Sequence, residues 1–264
     1  MNLQLTNKTA FISGSTAGIG FSTALHLARE GASVYLNGRS QEGVEIAVKR
    51  LKKEVPDAQV YGLVADFLDT KSIDSLIKDL PEVDILINNV GIYASASFFE
   101  TDDASWQRQL EVNLMSGVRL SRHYLKGMLK QDWGRILFIS SECATLVPED
   151  LIAYSTTKAA LLALSRGLAQ LTKGSSVTVN TIAPGSTFTE GAENFIEALA
   201  AKEGKTVEQA EKDFFENIRT SSLLGRFAAV DEVAQTICYF ASPLSSATNG
   251  SVIKVDGGSM GNIL

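Results

Sequence analysis

The sequence contains few of the residues that build metal centres or disulfide frameworks. Its 264 residues include two cysteines, Cys143 and Cys238, and two histidines, His26 and His123. The cysteines lie far apart and lack the spacing of metal ligands, which predicts reduced thiols and a cytoplasmic location. We therefore expect no bound metal and no catalyst based on histidine.

An excess of positive charge and long apolar runs are also absent. The formal net charge is −6, which argues against a nucleic acid or an anionic membrane surface as partner. No apolar run approaches the length of a membrane span, and residues 1–8 lack the apolar core of a signal peptide. A hydrophobic content of 45% with 20% charged residues is ordinary for a soluble globular protein. The expected partner is a small molecule.

Apolar segments of strand length alternate with helix-like segments along the chain. The strands are predicted at residues 9–13, 32–37, 59–65, 83–87, 135–139, 177–182 and 251–255. Helical patterns include residues 21–30, 102–131, 153–170 and 231–241. This alternation predicts an α/β fold, a doubly wound Rossmann-type parallel sheet, in a single domain over residues 1–264. Ligands of such sheets bind at the carboxyl ends of the strands.

Residues 190–225 differ from the rest in having a charged, helix-favouring composition. Thr206 and Gln209 have the spacing of a capping box, which predicts a helix running to about Arg219. This segment is either a small helical substrate lid, hinged near Gly191 and Gly225, or a part that packs onto the body of the domain.

The first predicted strand leads into a glycine-rich turn and then a helix. Gly14, Gly18 and Gly20 are spaced as GxxxGxG, with Ser15, Thr16 and Ile19 between them. A strand, a glycine turn and a helix direct backbone N–H groups at a pyrophosphate. The turn therefore predicts dinucleotide binding, although an ordinary βα turn has the same local pattern.

The second predicted strand ends without an acidic residue. An NAD enzyme usually places an acid there to bind the ribose 2′-hydroxyl, whereas this chain has Gly38, Arg39 and Ser40. Arg39 can bind a 2′-phosphate, so NADP is the predicted cofactor, with NAD as the alternative. After the third strand, Asp66 and Phe67 are candidates to flank an adenine.

Tyr154 and Lys158 are four residues apart in the pattern of residues 153–170, so their side chains share one helix face. A free phenol has a pKa of about 10, and a nearby ammonium lowers it towards neutral pH. The pair predicts an acid–base catalyst, although surface pairs at this spacing are common.

These motifs, in this order, resemble the short-chain dehydrogenase/reductase family over nearly the whole chain. The residues that carry the resemblance are Gly14, Gly18, Ile19, Gly20, Asn88, Asn89, Val90, Gly91, Asn113, Ser141, Tyr154, Lys158, Pro184, Gly185, Asp256, Gly257 and Gly258. Val90, Ser13 and Thr157 depart from the usual residues without removing a functional group.

The resemblance implies hydride transfer between a nicotinamide and a carbonyl or alcohol carbon. Tyr154 would exchange the proton, Ser141 would polarise the substrate oxygen, and Lys158 would bind the nicotinamide ribose and lower the Tyr154 pKa. Asn113 would hold a water that links Lys158 to solvent. Residues implied to line the cofactor also include Asn89, Gly91, Pro184, Gly185, Thr187 and Thr189. A homotetramer is implied as well.

The predicted activity is NADP-dependent reduction of a ketone or 3-oxoacyl substrate, similar to 3-oxoacyl-carrier-protein reductases and related carbonyl reductases. A sugar or polyol dehydrogenase and a non-catalytic dinucleotide sensor are the alternatives. Candidate residues around the substrate are Tyr93, Glu142, Thr145, Val147, Leu151, Phe188 and Phe195.

Overall fold

A computed structural model describes residues 2–262 and contains a seven-stranded, wholly parallel sheet. The strand order is β3-β2-β1-β4-β5-β6-β9, so the crossover direction reverses between β1 and β4. The strands are β1 (Thr9–Ile12), β2 (Ser33–Gly38), β3 (Val60–Val64), β4 (Ile85–Asn88), β5 (Gly134–Ile139), β6 (Val177–Pro184) and β9 (Val252–Val255). The predicted doubly wound α/β fold is confirmed.

Helices connect these strands and cover both faces of the sheet. They are α1 (Gly18–Arg29), α2 (Gln41–Glu54), α3 (Thr70–Asp79), α4 (Asp103–Leu110), α5 (Ser116–Lys130), α6 (Cys143–Leu146), α7 (Ile152–Leu171), α8 (Glu190–Glu203), α9 (Val207–Asn217) and α10 (Val230–Ala241). Short 3₁₀ turns occupy Phe98–Glu100, Glu149–Leu151 and Pro243–Ser245. Helices α2 and α3 lie outside the sequence predictions.

The central strands are apolar because helices bury them on both sides. Every residue of β5 and of β6 is buried. One core cluster packs α1 and α10 onto one face of the sheet, and a second packs α3, α5 and α7 onto the other. The sheet is therefore rigid, and its carboxyl edge is a fixed platform for a site.

The predicted helix at residues 102–131 is interrupted. A π-helical turn, Glu111–Met115, separates α4 from α5. The Ser116 hydroxyl donates to the Val112 carbonyl, four residues earlier, at 2.6 Å. Such hydroxyl bonds compete with the helical ladder, and π-turns are frequent at functional sites. Asn113 lies buried at the centre of this turn.

Residues 190–225 form α8, α9 and a following loop, which lie over the carboxyl edge of the sheet. The capping box at Thr206 is confirmed, although α9 ends at Asn217 rather than near Arg219. The two helices share a small core with Phe227. Phe188 and Ala228 belong to a separate two-stranded sheet, β7 (Thr187–Phe188) with β8 (Ala228–Ala229). The backbone N–H groups of Leu223 and Leu224 both donate to the Gly257 carbonyl at 2.9 Å.

Within residues 2–262, no helix is long and apolar enough to cross a membrane.

Candidate active site

The glycine turn after β1 is held by the loop after β4. The Asn89 side-chain amide donates to the carbonyls of Ser13 and Gly14 at 3.0 and 2.8 Å. The Ser13 hydroxyl accepts from the backbone N–H groups of Asn89 and Val90, both at 3.0 Å. Asn89 therefore shapes the turn through its side chain, which explains an amide at a strand end where a simple turn would suffice.

Two glycines of the turn are required by sterics. Gly14 has a φ of 61°, in the left-handed region that disfavours side chains. A Cβ on Gly20 would lie 2.6 Å from Asn89 Nδ2 and 2.6 Å from the Gly14 carbonyl oxygen. Helix α1 therefore approaches the turn only because Gly20 has no side chain. Its first turn contains no acidic residue, and Ala17 provides no side-chain cap.

A cavity of about 260 Å³ opens at the ends of β1, β2 and β3. Arg39 is exposed on its wall opposite Thr16, and Arg108 of α4 lines it as well. Phe67 also lines this cavity but is 2% exposed, whereas the neighbouring Leu68 is 41% exposed. Leu68 and Arg108 were missed by sequence reasoning, because neither belongs to a motif.

A second cavity, of about 530 Å³, adjoins the first and shares Asn89, Gly91 and Ala17 with it. It lies at the ends of β4, β5 and β6, beneath α8 and α9. The implied catalytic residues Ser141, Tyr154 and Lys158 all line it. Implied cofactor residues on the same wall are Ile19, Gly20, Asn89, Gly91, Pro184, Gly185, Thr187 and Thr189.

Tyr154 and Lys158 both lie on α7 and both face this cavity. The Lys158 ammonium is 5.6 Å from the centre of the Tyr154 ring and donates to the Ile139 carbonyl at 2.8 Å. Lys158 is 3% exposed, and burial lowers its pKa to about 8. Gly91 leaves room for the ammonium, since a Cβ there would lie 3.2 Å from Lys158 Nζ.

The pKa of the Tyr154 phenol differs from the sequence expectation. Burial raises it above its ordinary value, coulombic repulsion from Cys143, Tyr93 and Glu142 in their ionised forms adds to this, and a hydrogen bond with the Ser141 side chain acts in the opposite direction. The expectation that Lys158 lowers the Tyr154 pKa towards neutral pH is wrong, because the desolvation of the phenolate has the larger effect. The phenol is thus protonated at neutral pH, the form that can donate a proton.

Asn113 uses its side-chain amide within the protein. Its Oδ1 accepts from the Ile92 backbone N–H at 2.8 Å, while Nδ2 donates to the Ile92 carbonyl at 2.9 Å and to the Thr157 hydroxyl at 3.0 Å. Both amide hydrogens are therefore engaged. Asn113 connects the π-turn, the loop after β4 and α7. A water held by Asn113 between Lys158 and solvent, as the resemblance implies, stays a prediction.

Three predicted cofactor residues lie outside both cavity walls. The buried Ser15 hydroxyl donates to the Ile12 carbonyl at 2.7 Å, and Ser40 caps α2 by accepting from the Gly43 N–H. Gly18 begins α1 and lies on a third cavity nearby. Thr189 lines the large cavity but also caps α8. The hydroxyls of Ser15, Ser40 and Thr189 therefore bond backbone atoms of the turn and of the helix starts.

The candidate substrate residues are divided between the large cavity and other surfaces. Tyr93, Glu142, Leu151 and Phe195 line the cavity, and Tyr93 contacts the Tyr154 ring edge-on at 6.0 Å. Thr145 and Val147 do not line it, and Phe188 faces the third cavity with Gly18. Arg219 and Ser186 were missed: both line the cavity, and both bond Glu142.

The joined cavities fit a nicotinamide dinucleotide. The glycine turn and the uncapped start of α1 lie where they meet, which suits a pyrophosphate, and Gly20 allows the helix to lie close to the turn. Arg39 and Asp66 lie on the smaller cavity, and Tyr154 and Lys158 on the larger one. No group of three or more metal-ligating side chains occurs in residues 2–262.

Comparison with known proteins identifies the family. Residues 14–260 match the family model described as enoyl-(acyl carrier protein) reductase. The chain is 43% identical to an uncharacterized oxidoreductase, YvaG, of Bacillus subtilis, over 98% of both chains. It is 31% identical to the 3-oxoacyl-[acyl-carrier-protein] reductase of Aquifex aeolicus, over 98% of this chain and 99% of that one.

This chain belongs to the short-chain dehydrogenase/reductase family. The solved structure of L-sorbose reductase from Gluconobacter frateurii, complexed with NADPH and L-sorbose, superposes with a TM-score of 0.93 at 28% identity over both whole chains. The short-chain dehydrogenase/reductase described here is therefore an oxidoreductase that acts on hydroxyl or carbonyl groups and uses a nicotinamide dinucleotide.

Proposed function

We propose that this enzyme reduces a ketone or a 3-oxoacyl compound with NADPH. The observation that supports this most directly is that the Tyr154 phenol, the Lys158 ammonium and the Ser141 hydroxyl line one cavity, which adjoins the cavity lined by Arg39. The phenol is in its protonated form at neutral pH, the form that gives a proton in a reduction.

The proposed reaction has one proton transfer and one hydride transfer. When bound, the reduced nicotinamide supplies hydride to the carbonyl carbon. Ser141 donates a hydrogen bond to the carbonyl oxygen and stabilises the negative charge that develops there. Tyr154 gives its phenolic proton to the same oxygen, which completes the alcohol. The Lys158 ammonium then stabilises the phenolate that remains.

The preference for NADPH rests on the charges at the end of β2. Arg39 is exposed on the smaller cavity, and the adjoining Gly38 and Ser40 contribute no carboxylate. Arg108 adds a second guanidinium to the wall. A 2′-phosphate is dianionic near neutral pH, so two guanidinium groups favour it over a 2′-hydroxyl.

A sugar or polyol dehydrogenase is the second candidate. One wall of the large cavity carries the ion pair of Glu142 and Arg219, with Ser186 bonded to it. These polar groups would suit hydroxyl groups of a substrate such as the L-sorbose named for the solved relative. A non-catalytic sensor has no need of Tyr154, Ser141 and Lys158 on one cavity.

The test is a kinetic panel with the purified enzyme. NADPH and NADH are each supplied with an unbranched ketone, a 3-oxoacyl thioester and a keto sugar, and the loss of reduced-nicotinamide absorbance is followed. We expect NADPH oxidation with the ketone or the thioester, at a kcat/KM above that for NADH. An advantage for NADH, or turnover of the keto sugar alone, would contradict the proposal.

Assembly as a homotetramer and a cytoplasmic location are also proposed. The tetramer would form through the two long helical segments that carry Asn113 and Tyr154, on which Leu129 and Leu171 are exposed apolar side chains. Both cysteines are buried and free, which suits a reducing compartment. Sedimentation at assay concentration tests the first proposal, and a monomer would contradict it.

A further inference from the structure

Glu142 is a buried acid with one oxygen satisfied and one not. Its Oε1 accepts from the Ser186 hydroxyl at 3.1 Å and from Arg219 Nε at 3.2 Å. Its Oε2 is buried and has no hydrogen-bond partner among residues 2–262, and the residue is 3% exposed. An unpaired buried carboxylate oxygen is costly, so it marks a place where a ligand donor would be favourable.

Arg219 supplies unused donors beside this oxygen. It follows the end of α9 and reaches 77 positions back along the chain to pair with Glu142. Within the described residues its Nε is the guanidinium atom with a hydrogen-bond partner, while the two terminal nitrogens have none. Its side chain is 16% exposed and lines the large cavity. A guanidinium can donate five hydrogen bonds, so most of its capacity is available.

The pair lies beside the position where a carbonyl would react. Glu142 directly follows Ser141, and its charge is one of the causes that raise the Tyr154 pKa. Aromatic and aliphatic side chains of Phe195, Phe214 and Ile218 line the same cavity, and the Arg219 guanidinium lies 5.6 Å from the centre of the Phe214 ring. A polar group on the carbon next to the reacting carbonyl would therefore meet the ion pair.

The charge of the pair determines which polar group fits. The carboxylate neutralises the guanidinium, so together they offer an acceptor and several donors without net charge. A hydroxyl can donate to Glu142 Oε2 and accept from Arg219, whereas a carboxylate has no proton to donate and would place a like charge beside Oε2. Resting on the proposed function, we propose that, among the ketones this enzyme reduces, Glu142 and Arg219 favour those with a hydroxyl group on the carbon next to the reacting carbonyl.

Three ketones with the same hexyl tail test this proposal. 1-Hydroxy-2-octanone carries the hydroxyl, 3-nonanone replaces that hydroxyl with a methyl of similar size, and 2-oxooctanoate has a carboxylate in place of the whole hydroxymethyl group. In the unchanged enzyme we expect kcat/KM for the hydroxyketone to exceed that for 3-nonanone at least tenfold. Glu142→Gln should reduce this ratio about tenfold and raise the relative rate with 2-oxooctanoate, because the repelling charge is gone. Arg219→Met should reduce the ratio too, and Arg219→Lys should restore part of it.

Asp150→Asn is the matched control. Asp150 lines the same cavity but pairs with the Ser95 hydroxyl at 2.6 Å, so the substrate ratio should stay within twofold. Melting temperature and NADPH binding identify variants that fail to fold. Equal losses with all three ketones in Glu142→Gln would show that Glu142 only shapes the turn after Ser141. Equal rates in the unchanged enzyme would also overturn the selection, while leaving the proposed reduction intact. Turnover of none of the ketones or of the panel compounds would instead count against the proposed function.

Discussion

The side-chain amide of Asn113 bonds both backbone groups of Ile92, accepting from its N–H at 2.8 Å and donating to its carbonyl at 2.9 Å. Ile92 follows Gly91, which lies against the Lys158 ammonium. The π-turn therefore holds the loop that borders both cavities. Asn113 therefore acts by positioning backbone atoms of this loop rather than by binding the substrate.

Asn113→Ala should lower both stability and turnover. The change leaves the Ile92 N–H without its partner, which costs about 2–4 kcal/mol of unfolding free energy. The loop beside Lys158 loses its support, so we expect kcat to fall tenfold or more. Denaturant unfolding and steady-state kinetics measure the two effects. Asn217→Ala, at an exposed position, is the control and should change stability by less than about 0.5 kcal/mol. A variant with normal kcat would contradict the role given to Asn113.

Tyr154→Phe should retain NADPH binding and lose turnover. The ring and its contact with Tyr93 remain, but the proton donor is gone, so kcat should fall about 10²–10⁴-fold. Cofactor binding followed by fluorescence should change less than threefold. Tyr61→Phe, on the exposed face of β3, is the matched control and should be active. Comparable turnover in the two variants would reject the assignment of the proton donor.

Arg39→Asp should reverse the cofactor preference. It replaces a charge-assisted bond to the 2′-phosphate with repulsion, so kcat/KM for NADPH should fall about 100-fold relative to that for NADH. Position 38 is unsuitable for this test, because a Cβ on Gly38 would lie 2.6 Å from Thr16 Cγ2. Arg122→Asp, on the exposed side of α5, controls for the general loss of charge. An unchanged ratio would place the 2′-phosphate away from Arg39.

The rate of reduction should fall as pH rises through about 8. Burial lowers the pKa of Lys158 to about 8, so its side chain is a charged ammonium below that pH and a neutral amine above it. The raised pKa of Tyr154 keeps the phenol protonated through the same interval. A profile of kcat against pH from 6 to 10 should therefore show one decline near 8. A flat profile up to pH 10 would show that the charge on Lys158 is not required.

Lys158→Met should abolish most activity but stabilise the fold at pH 7. Because the native pKa is below the unfolded one, the native state carries the cost of the buried ammonium in full below pH 8. That cost falls away as pH rises from 8 to about 10.5. In this interval the native lysine is neutral, while the lysine of the unfolded chain still binds its proton. After loss of the bond to the Ile139 carbonyl, we expect a net gain of about 1–3 kcal/mol at pH 7.

Lys173→Met, at an exposed position, is the control for that stability change and should leave the unfolding free energy nearly unaltered. A loss of stability in Lys158→Met at pH 7 would show that the ammonium is better paired than the described contacts indicate.

The sheet could be predicted from the sequence because most of its strands are short, mainly apolar runs between helix-like segments. The segment 135–139 lies wholly within β5, and all of its residues after Arg135 are apolar. The break between α4 and α5 could not be predicted, because the apolar period continues through Glu111–Met115 and the bond from the Ser116 hydroxyl to the Val112 carbonyl is not visible in the sequence pattern. Helix α2 was not predicted either, because its sequence is mostly polar and only Val44, Ala47 and Leu51 are buried.

The site was predictable where residues are close in sequence or belong to motifs. Tyr154 and Lys158 meet through helical periodicity alone. The pair of Glu142 and Arg219 spans 77 positions and joins two segments whose relative placement depends on the complete fold. The Tyr154 pKa was mispredicted because local spacing reveals a neighbouring cation but not the extent of desolvation.

The bonds from Leu223 and Leu224 to the single Gly257 carbonyl have a consequence for how the large cavity opens. The returning end of the segment above the cavity is tied to the chain just after β9, at the border of the rigid sheet. Because Arg219 lies only four positions before Leu223, the tether holds the ion pair at the anchored end of the segment, so opening the cavity on that side requires these two bonds to break.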